Sequence, residues 1–310
     1  MASAGSILVY VIPAIVLTLV IAWIVVKVRH RFWSTQPVFH VYDLKYYLSP
    51  PGIIRTAVPE KTRYFHPDMR FSEIGSGDYR AFCAFIRRCY MRNGANKYTP
   101  SEGHIMPYFK GHAGKCHLGA LSSTESLSDA KAQRVVQRPT MVACMTSRPM
   151  ACELDGPRGE REAFTCNYVD YLCVDGTRRG DGLAAQAIYT HEYHNRRLQG
   201  APVVSVFKRE GAITGIVPIC AYHMEGFDMR AWRPMPPLSA SAGKVVRCTP
   251  ATLYLAVDFI RQRAKTDFDL YLGVGDGNLA ELLRTENVYL YLYVDTRGDI
   301  ASVYFFRHTC

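Results

Sequence analysis

What this chain lacks narrows its chemistry early. It has no Cys-x-x-Cys pair, no His-Glu-x-x-His motif and no dense Lys/Arg run with interleaved aromatics. Its ten cysteines (Cys83, Cys89, Cys116, Cys144, Cys152, Cys166, Cys173, Cys220, Cys248 and Cys310) are scattered, without a compact disulfide scaffold, and a reducing compartment fits them best. The paired histidines of His191-Glu192-x-His194 read as a surface helix end rather than a zinc site, so no metal is expected. Acidic residues are in short supply: 27 Asp and Glu face 37 Lys and Arg, a formal charge of +10. That excess favours an anionic partner, whether nucleic acid, anionic lipid or a phosphate-rich cofactor. Without a basic run, nucleic acid ranks last.

What is present begins with an anchor. Ile7 to Val26 is uncharged and apolar apart from Tyr10 and Thr18, and about 20 such residues match a bilayer span. Lys27, Arg29 and Arg31 follow the apolar run instead of preceding it, which argues against a signal peptide and places the C-terminal side in the cytosol. Pro13 is tolerated inside such a helix. The full 310 residues, 48% hydrophobic, suffice for one large domain or two small ones.

The centre of the chain is Tyr168 to Ile188. Val169, Leu172 and Val174 read as a buried strand, Leu183, Ala184, Ala187 and Ile188 recur at helical spacing, and Gly176, Gly180 and Gly182 make the turn between them. A glycine-rich turn at a helix start gathers backbone N–H groups and the positive end of the helix dipole, an anion cradle. Arg179-x-x-Gly182-x-Ala184 resembles the pattern by which acyl-CoA-dependent N-acyltransferases hold the pyrophosphate of coenzyme A. Elsewhere the pattern predicts a helix within Asp78 to Arg92, a polar loop or exposed hairpin over Ser122 to Arg138, and strands over Thr140 to Cys152, Phe164 to Val174, Val203 to Phe207 and Ile213 to Ala221. A helix from Pro250 to Lys265 and a hairpin of Val288 to Val294 with Ile300 to Phe306 close the chain. Strands interleaved with helices imply α/β or α+β packing.

Three stretches carry a family resemblance. Phe32-Trp33-Ser34-Thr35-Gln36-Pro37-Val38 resembles the opening of the N-myristoyltransferase core. Tyr168 to Val174 is similar to that family's central strand, with changes at Val169, Asp170 and Tyr171. Leu272-Gly273-Val274-Gly275-Asp276-Gly277-Asn278-Leu279 is similar to its glycine-rich signature. The resemblance, covering about Arg31 to Cys310, implies a GNAT-like acyl-CoA N-acyltransferase fold: a mixed central sheet flanked by helices, here preceded by one transmembrane helix. It divides the chain into an anchor (1–30), an acyl-CoA-binding domain (31–226) and a reduced second lobe (227–310).

The resemblance also assigns roles. It implies myristoyl-CoA as co-substrate, held by Phe32, Trp33, Gln36, Cys173, Val174, Arg179, Gly180, Asp181, Gly182, Leu183 and Ala184, and an N-terminal glycine amine as acceptor. Asp181 and Gly182 stand where the family has basic residues, so part of the phosphate affinity is expected from Lys110, Lys115 or Arg178. Backbone amides after a strand bulge, here Tyr171 and Leu172, stabilise the oxyanion, and the chain's terminal carboxylate, here Cys310, acts as base, with His308 as its alternative. The family's acidic run, which selects basic peptides, is replaced by the acid-free Tyr90 to Tyr98, so that preference should be lost or reversed. Asp276 reads as turn chemistry and the alternating Tyr289, Tyr291 and Tyr293 as core or groove wall. Two functions follow: a single-pass membrane N-acyltransferase facing the cytosol, or a non-catalytic relative kept as a tethered scaffold, as in the envelope or capsid lining of a large DNA virus. Small-molecule acetyl transfer is disfavoured by the long-chain-family opening.

Overall fold

The structure is a computed structural model. It describes residues 4–49, 52–75, 77, 79–93, 96–129, 134–156, 159–209, 215–233, 236, 238–239 and 242–309. The chain divides into two compact units, Met1–Ala57 with Arg209–Arg233, and Val58–Lys208 with Pro234–Cys310.

The first unit carries α1 (Ala4–Arg29) and the short α2 (Leu44–Leu48). Within α1, Tyr10–Arg29 has a mean hydropathy of 2.6 and none of it is buried, so by length and composition the helix can cross a membrane. The Thr18 hydroxyl is satisfied by the Ala14 carbonyl at 2.8 Å, which removes the one side-chain polar group in its middle. After the helix, His40 bridges Ile216, and Val41 and Val217 donate to Gly215 and Phe39. The strand expected over Ile213–Ala221 reduces, within its described part, to this single bridge. Pro218 follows directly and has no N–H to extend a ladder.

The second unit holds the remaining elements: β1 (Arg70–Ile74), α3 (Arg80–Cys89), β2 (Arg92–Asn93), β3 (Asn96–Lys97), α4 (Glu102–Ile105), β4 (Cys116–Asp129), β5 (Arg134–Asp155), β6 (Arg161–Val174), α5 (Leu183–Asn195), β7 (Ser205–Phe207), β8 (Lys244–Arg247), α6 (Leu253–Asp267), β9 (Leu270–Gly273), α7 (Asp276–Arg284), β10 (Val288–Val294) and β11 (Ile300–Arg307). The main sheet runs β1-β4-β5-β6-β7, with β9 also on β5. Its ladders are antiparallel except for the parallel pair β6–β7, so the sheet is mixed. Ser122 to Arg138, left between loop and hairpin by its polarity, forms the paired outer arms of β4 and β5 where described.

Helix α3 buries the stripe Phe82, Phe85 and Ile86 against Leu118, Cys144, Phe109 and Tyr171, forming the main core. A second core lies under the sheet β11-β10-β8, where Leu290 and Leu292 meet Leu253, Val257, Leu279 and Leu283 of α6 and α7. Strand alternation therefore turns Tyr289, Tyr291 and Tyr293 to the opposite, half-buried face.

The glycine signature before α7 explains itself here. A Cβ on Gly277 would run into the Gly111 carbonyl, and one on Gly111, which has φ 74°, would run into Gly277. The adjoining Asn278 amide donates to the carbonyls of Pro107 (3.0 Å) and Lys110 (2.6 Å). These contacts lock α7 onto Met106–Lys110, which packs in the main core. Asp276 sits in the first turn of α7, paired with Arg261 at 2.9 Å, a structural use that agrees with its reading as turn chemistry.

Candidate active site

The site is built on an interruption in β6. Thr146 lies opposite Asp170 and Cys144 opposite Cys173, so Met145 alone faces both Tyr171 and Leu172, a β-bulge. Tyr171 takes φ 49°, a left-handed conformation that costs a side-chain-bearing residue about 1–3 kcal/mol. Burial of its ring offsets that cost. The ring is 3% exposed and meets Phe82 and Phe109 at 5.9 Å and Tyr90 at 5.5 Å.

The bulge turns two successive peptide groups the same way. Thr146 Oγ1 donates to the Asp170 carbonyl at 2.9 Å, and Cys144 Sγ donates to the Tyr171 carbonyl at 3.4 Å, so both carbonyls face β5. In trans peptides the N–H is opposite the carbonyl, so the amides of Tyr171 and Leu172 both point away from β5. On that side β7 pairs only with Asn167–Val169. Beyond Val169, no strand flanks that edge of β6 among the described residues. Two adjacent donors aimed into an opening are what an acyl-transfer oxyanion requires.

Below the bulge the strand runs into the anion cradle. Asp175 accepts from the Thr177 amide and hydroxyl at 3.0 and 2.8 Å and pairs with Arg88 at 3.0 Å. The Thr177 amide bond is the main reason its carboxyl is held below the usual range. Gly180 and Gly182 have φ 98° and 78°, and a Cβ on either would meet no protein atom within 4 Å. The glycines are thus required by backbone conformation and leave open space above the turn. Gly182 caps α5 without a side-chain hydrogen bond, so the amides of Leu183, Ala184 and Ala185 have no intrahelical acceptor. Arg178 is paired with Asp181 at 2.6 Å and Lys115 with Glu73 at 2.6 Å, whereas Arg179 is exposed and has no ion-pair partner among the described residues. The turn's available positive charge is therefore Arg179 and the helix end.

The side chains of Cys173 and Val174 face inward. Cys173 lies in the main core and Val174 packs against Leu121, Val142, Ala143 and Leu183. Burial pushes the Cys173 thiol up to about 12 and Cys144 well above its ordinary value, so neither supplies a thiolate for covalent catalysis. Phe32, Trp33 and Gln36 belong to the first unit, where Gln36 Nε2 donates to the Phe32 carbonyl at 3.3 Å and the two rings meet edge-on at 5.1 Å. Cys310 lies outside the described residues. His308 stacks on His104 at 5.1 Å, while its strand neighbour Arg307 lies 4.9 Å over Tyr108. His191 corrects the surface-helix reading: it is 1% exposed, bonded through Nε2 to Ser147 Oγ at 2.8 Å, and desolvation lowers its pKa to about 3.

Three residues at the bulge are not among those the sequence pointed to as machinery. Asp170 Oδ1 already accepts from the Tyr171 amide at 2.8 Å. Arg148, opposite Tyr168 on β5, is 8% exposed; its Nη2 is 3.9 Å from Asp170 Oδ2 and its Nη1 donates to the Tyr108 carbonyl at 3.2 Å. Arg307 covers the Tyr108 ring from β11. A single arginine inside the otherwise uncharged run Thr140 to Cys152 was the available signal.

No protein-family model and no curated protein matches the sequence. Solved structures do. A Saccharomyces cerevisiae N-myristoyltransferase with bound myristoyl-CoA superposes with a TM-score of 0.58 at 12% identity, covering 90% of this chain and 70% of that one. A second structure of that enzyme with myristoyl-CoA gives 0.55, 12%, 91% and 67%. A third, with myristoyl-CoA and inhibitors, gives 0.58, 12%, 90% and 68%. The fold is therefore the one found in N-myristoyltransferase, a mixed central sheet flanked by helices.

Proposed function

We propose that the chain is a membrane-anchored N-acyltransferase that moves a long-chain acyl group, myristoyl in the first instance, from acyl-CoA to the amine of an N-terminal glycine. The observation that carries this reading is the pair of amides at Tyr171 and Leu172, aimed into the gap beside β6 and followed along the strand by the cradle at Arg179 to Ala184. In this reading the cradle holds the CoA phosphates and the thioester carbonyl oxygen lies on the two amides. The amine lone pair attacks the thioester carbon, the oxyanion collapses, the C–S bond breaks, and CoA leaves as its thiol while the nitrogen loses a proton. In this reading α1 holds the catalytic domain at the cytosolic face of a membrane.

Incubating a fragment that starts at Arg31 with a glycine-initiated peptide and acyl-CoAs of graded length, followed by mass spectrometry, tests the reading. An acylated glycine with a chain-length optimum is expected. Loss of function on replacing the peptide's glycine amine by an acetylated one locates the acceptor. A second reading, a non-catalytic tethered relative, draws on the Asp170 carboxylate that already occupies the Tyr171 amide. It requires that no acyl-CoA gives product.

A further inference from the structure

The acyl-CoA reading leaves a cationic cluster on the other side of the bulge without a ligand. Arg148 pairs with Tyr168, seven positions before Asp175 along β6, which is about 20 Å from the turn at strand rise. Phosphates held at the turn do not reach it. Its guanidinium lies 5.0 Å from the Tyr168 ring and 5.2 Å from the Tyr108 ring, and its Nε is buried without a hydrogen-bond partner. Arg307 lies 4.9 Å from the same Tyr108 ring and is exposed. Facing these two arginines is Asp170, which shares its carboxylate with the Tyr171 amide. Positive charge is thus concentrated beside the donors meant for the thioester oxygen, where a cationic acceptor is repelled and an anionic one is attracted.

We propose that the acceptor carries a carboxylate close to its amine, bound by Arg307 with Arg148 behind it. Calling this ligand the acceptor rests on the acyltransferase reading; the carboxylate site itself does not. An arginine stacked on tyrosine and open on its other side offers the paired N–H groups that a carboxylate takes up in bidentate fashion. The carboxylate has two chemical sources, the α-carboxylate of a free amino acid such as glycine and an acidic side chain next to the glycine of a peptide. Both place an anion within a few bonds of the amine. The same cations disfavour an ammonium and so help deliver the amine uncharged.

Calorimetric titration of the full chain in detergent, with and without a non-reactive thioether analogue of myristoyl-CoA, tests this with four ligands: glycine, glycinamide, Gly-Asp-Ala amide and Gly-Lys-Ala amide. Glycine binding at least tenfold tighter than glycinamide assigns the α-carboxylate; Gly-Asp-Ala amide binding at least tenfold tighter than Gly-Lys-Ala amide assigns the side chain. Arg307→Gln should erase whichever preference is found, and Arg307→Lys should restore part of it. Arg148→Met, checked for folding by circular dichroism, should weaken the same ligand. Equal or tighter binding of the uncharged and lysine ligands, or no binding by any of the four, overturns the proposal. Failure of the thioether analogue alone to bind counts against the acyltransferase reading, and leaves a carboxylate preference measured without it standing.

Discussion

Asp170 is the most informative single residue to change. Its Oδ1 is 2.8 Å from the Tyr171 nitrogen, the position a thioester oxygen must share during acyl transfer. Two negative oxygens on one N–H are about 4 Å apart, and unit charges at that spacing repel by about 4 kcal/mol at an effective dielectric of 20. The Asp170 side chain is 22% exposed and Arg148 Nη2 lies 3.9 Å from Oδ2, so solvent and the guanidinium cancel part of this. A residual penalty of about 2 kcal/mol corresponds to roughly 30-fold in rate. Asp170→Asn keeps the shape, removes the charge, and lets an amide either accept from Tyr171 or donate to the oxyanion. Turnover should therefore rise by about 10- to 100-fold, with little change in acyl-CoA affinity. Single-turnover release of free CoA, followed with a thiol reagent, measures it. A fall of a hundredfold or more would mean that Asp170 is itself the proton acceptor, and the brake assigned to it here would be refuted.

Four further outcomes are expected. Gly182→Val should abolish measurable acyl-CoA binding in a folded protein, because its φ of 78° disfavours a β-branched residue and the new methyls fill the open space over the turn; undiminished affinity by calorimetry rules the cradle out. Arg179→Ala should weaken the same binding by about 1.5–3 kcal/mol, with a shallower salt dependence, the loss expected for one charge-assisted contact. His191 makes the fold acid-sensitive. Its folded pKa of about 3 lies below the unfolded value near 6.5, so the unfolded chain binds the extra proton and stability drains as pH falls from 6.5 toward 3, by up to about 1.4 kcal/mol per pH unit; urea midpoints at stepped pH should show that slope in the wild type and a smaller one in His191→Gln. Finally, a chain starting at Arg31 should stay in the supernatant after carbonate extraction while the full chain pellets, and pelleting of both removes α1 as the sole anchor.

The fold class and the strand–turn–helix were legible because they are local. Val169 to Val174, the glycines at 176, 180 and 182, and the stripe from Leu183 are written within one stretch of chain, and periodicity reads them directly. The bulge was reached only through resemblance: nothing in Tyr171 marks a left-handed tyrosine, which is held there by Phe82, Phe109 and Tyr90 from three other segments. His191 was misread as surface because a histidine beside Glu192 and His194 looks polar, and its burial depends on Ser147 of β5 and on the space left by Gly119 of β4. Arg148, Asp170 and Arg307 belong to three different strands. Their meeting is a property of register and of the packing of two separate sheets, which no single window of sequence contains.

The contact of Gly111 with Gly277 has a mechanical consequence. Two main chains touching directly leave no side chains between them to slide, repack or change rotamer, so the joint behaves as a weld rather than a hinge. Strand β11, which shares its sheet with the layer packed on α7, therefore presents Arg307 at a reach decided during folding and not during ligand capture. Even an alanine at Gly277 would drive its Cβ into the Gly111 carbonyl and wedge the joint that seats α7. Such a lesion would express itself as an altered ruler, a protein that measures its acceptor wrongly, before it expressed itself as an unstable one.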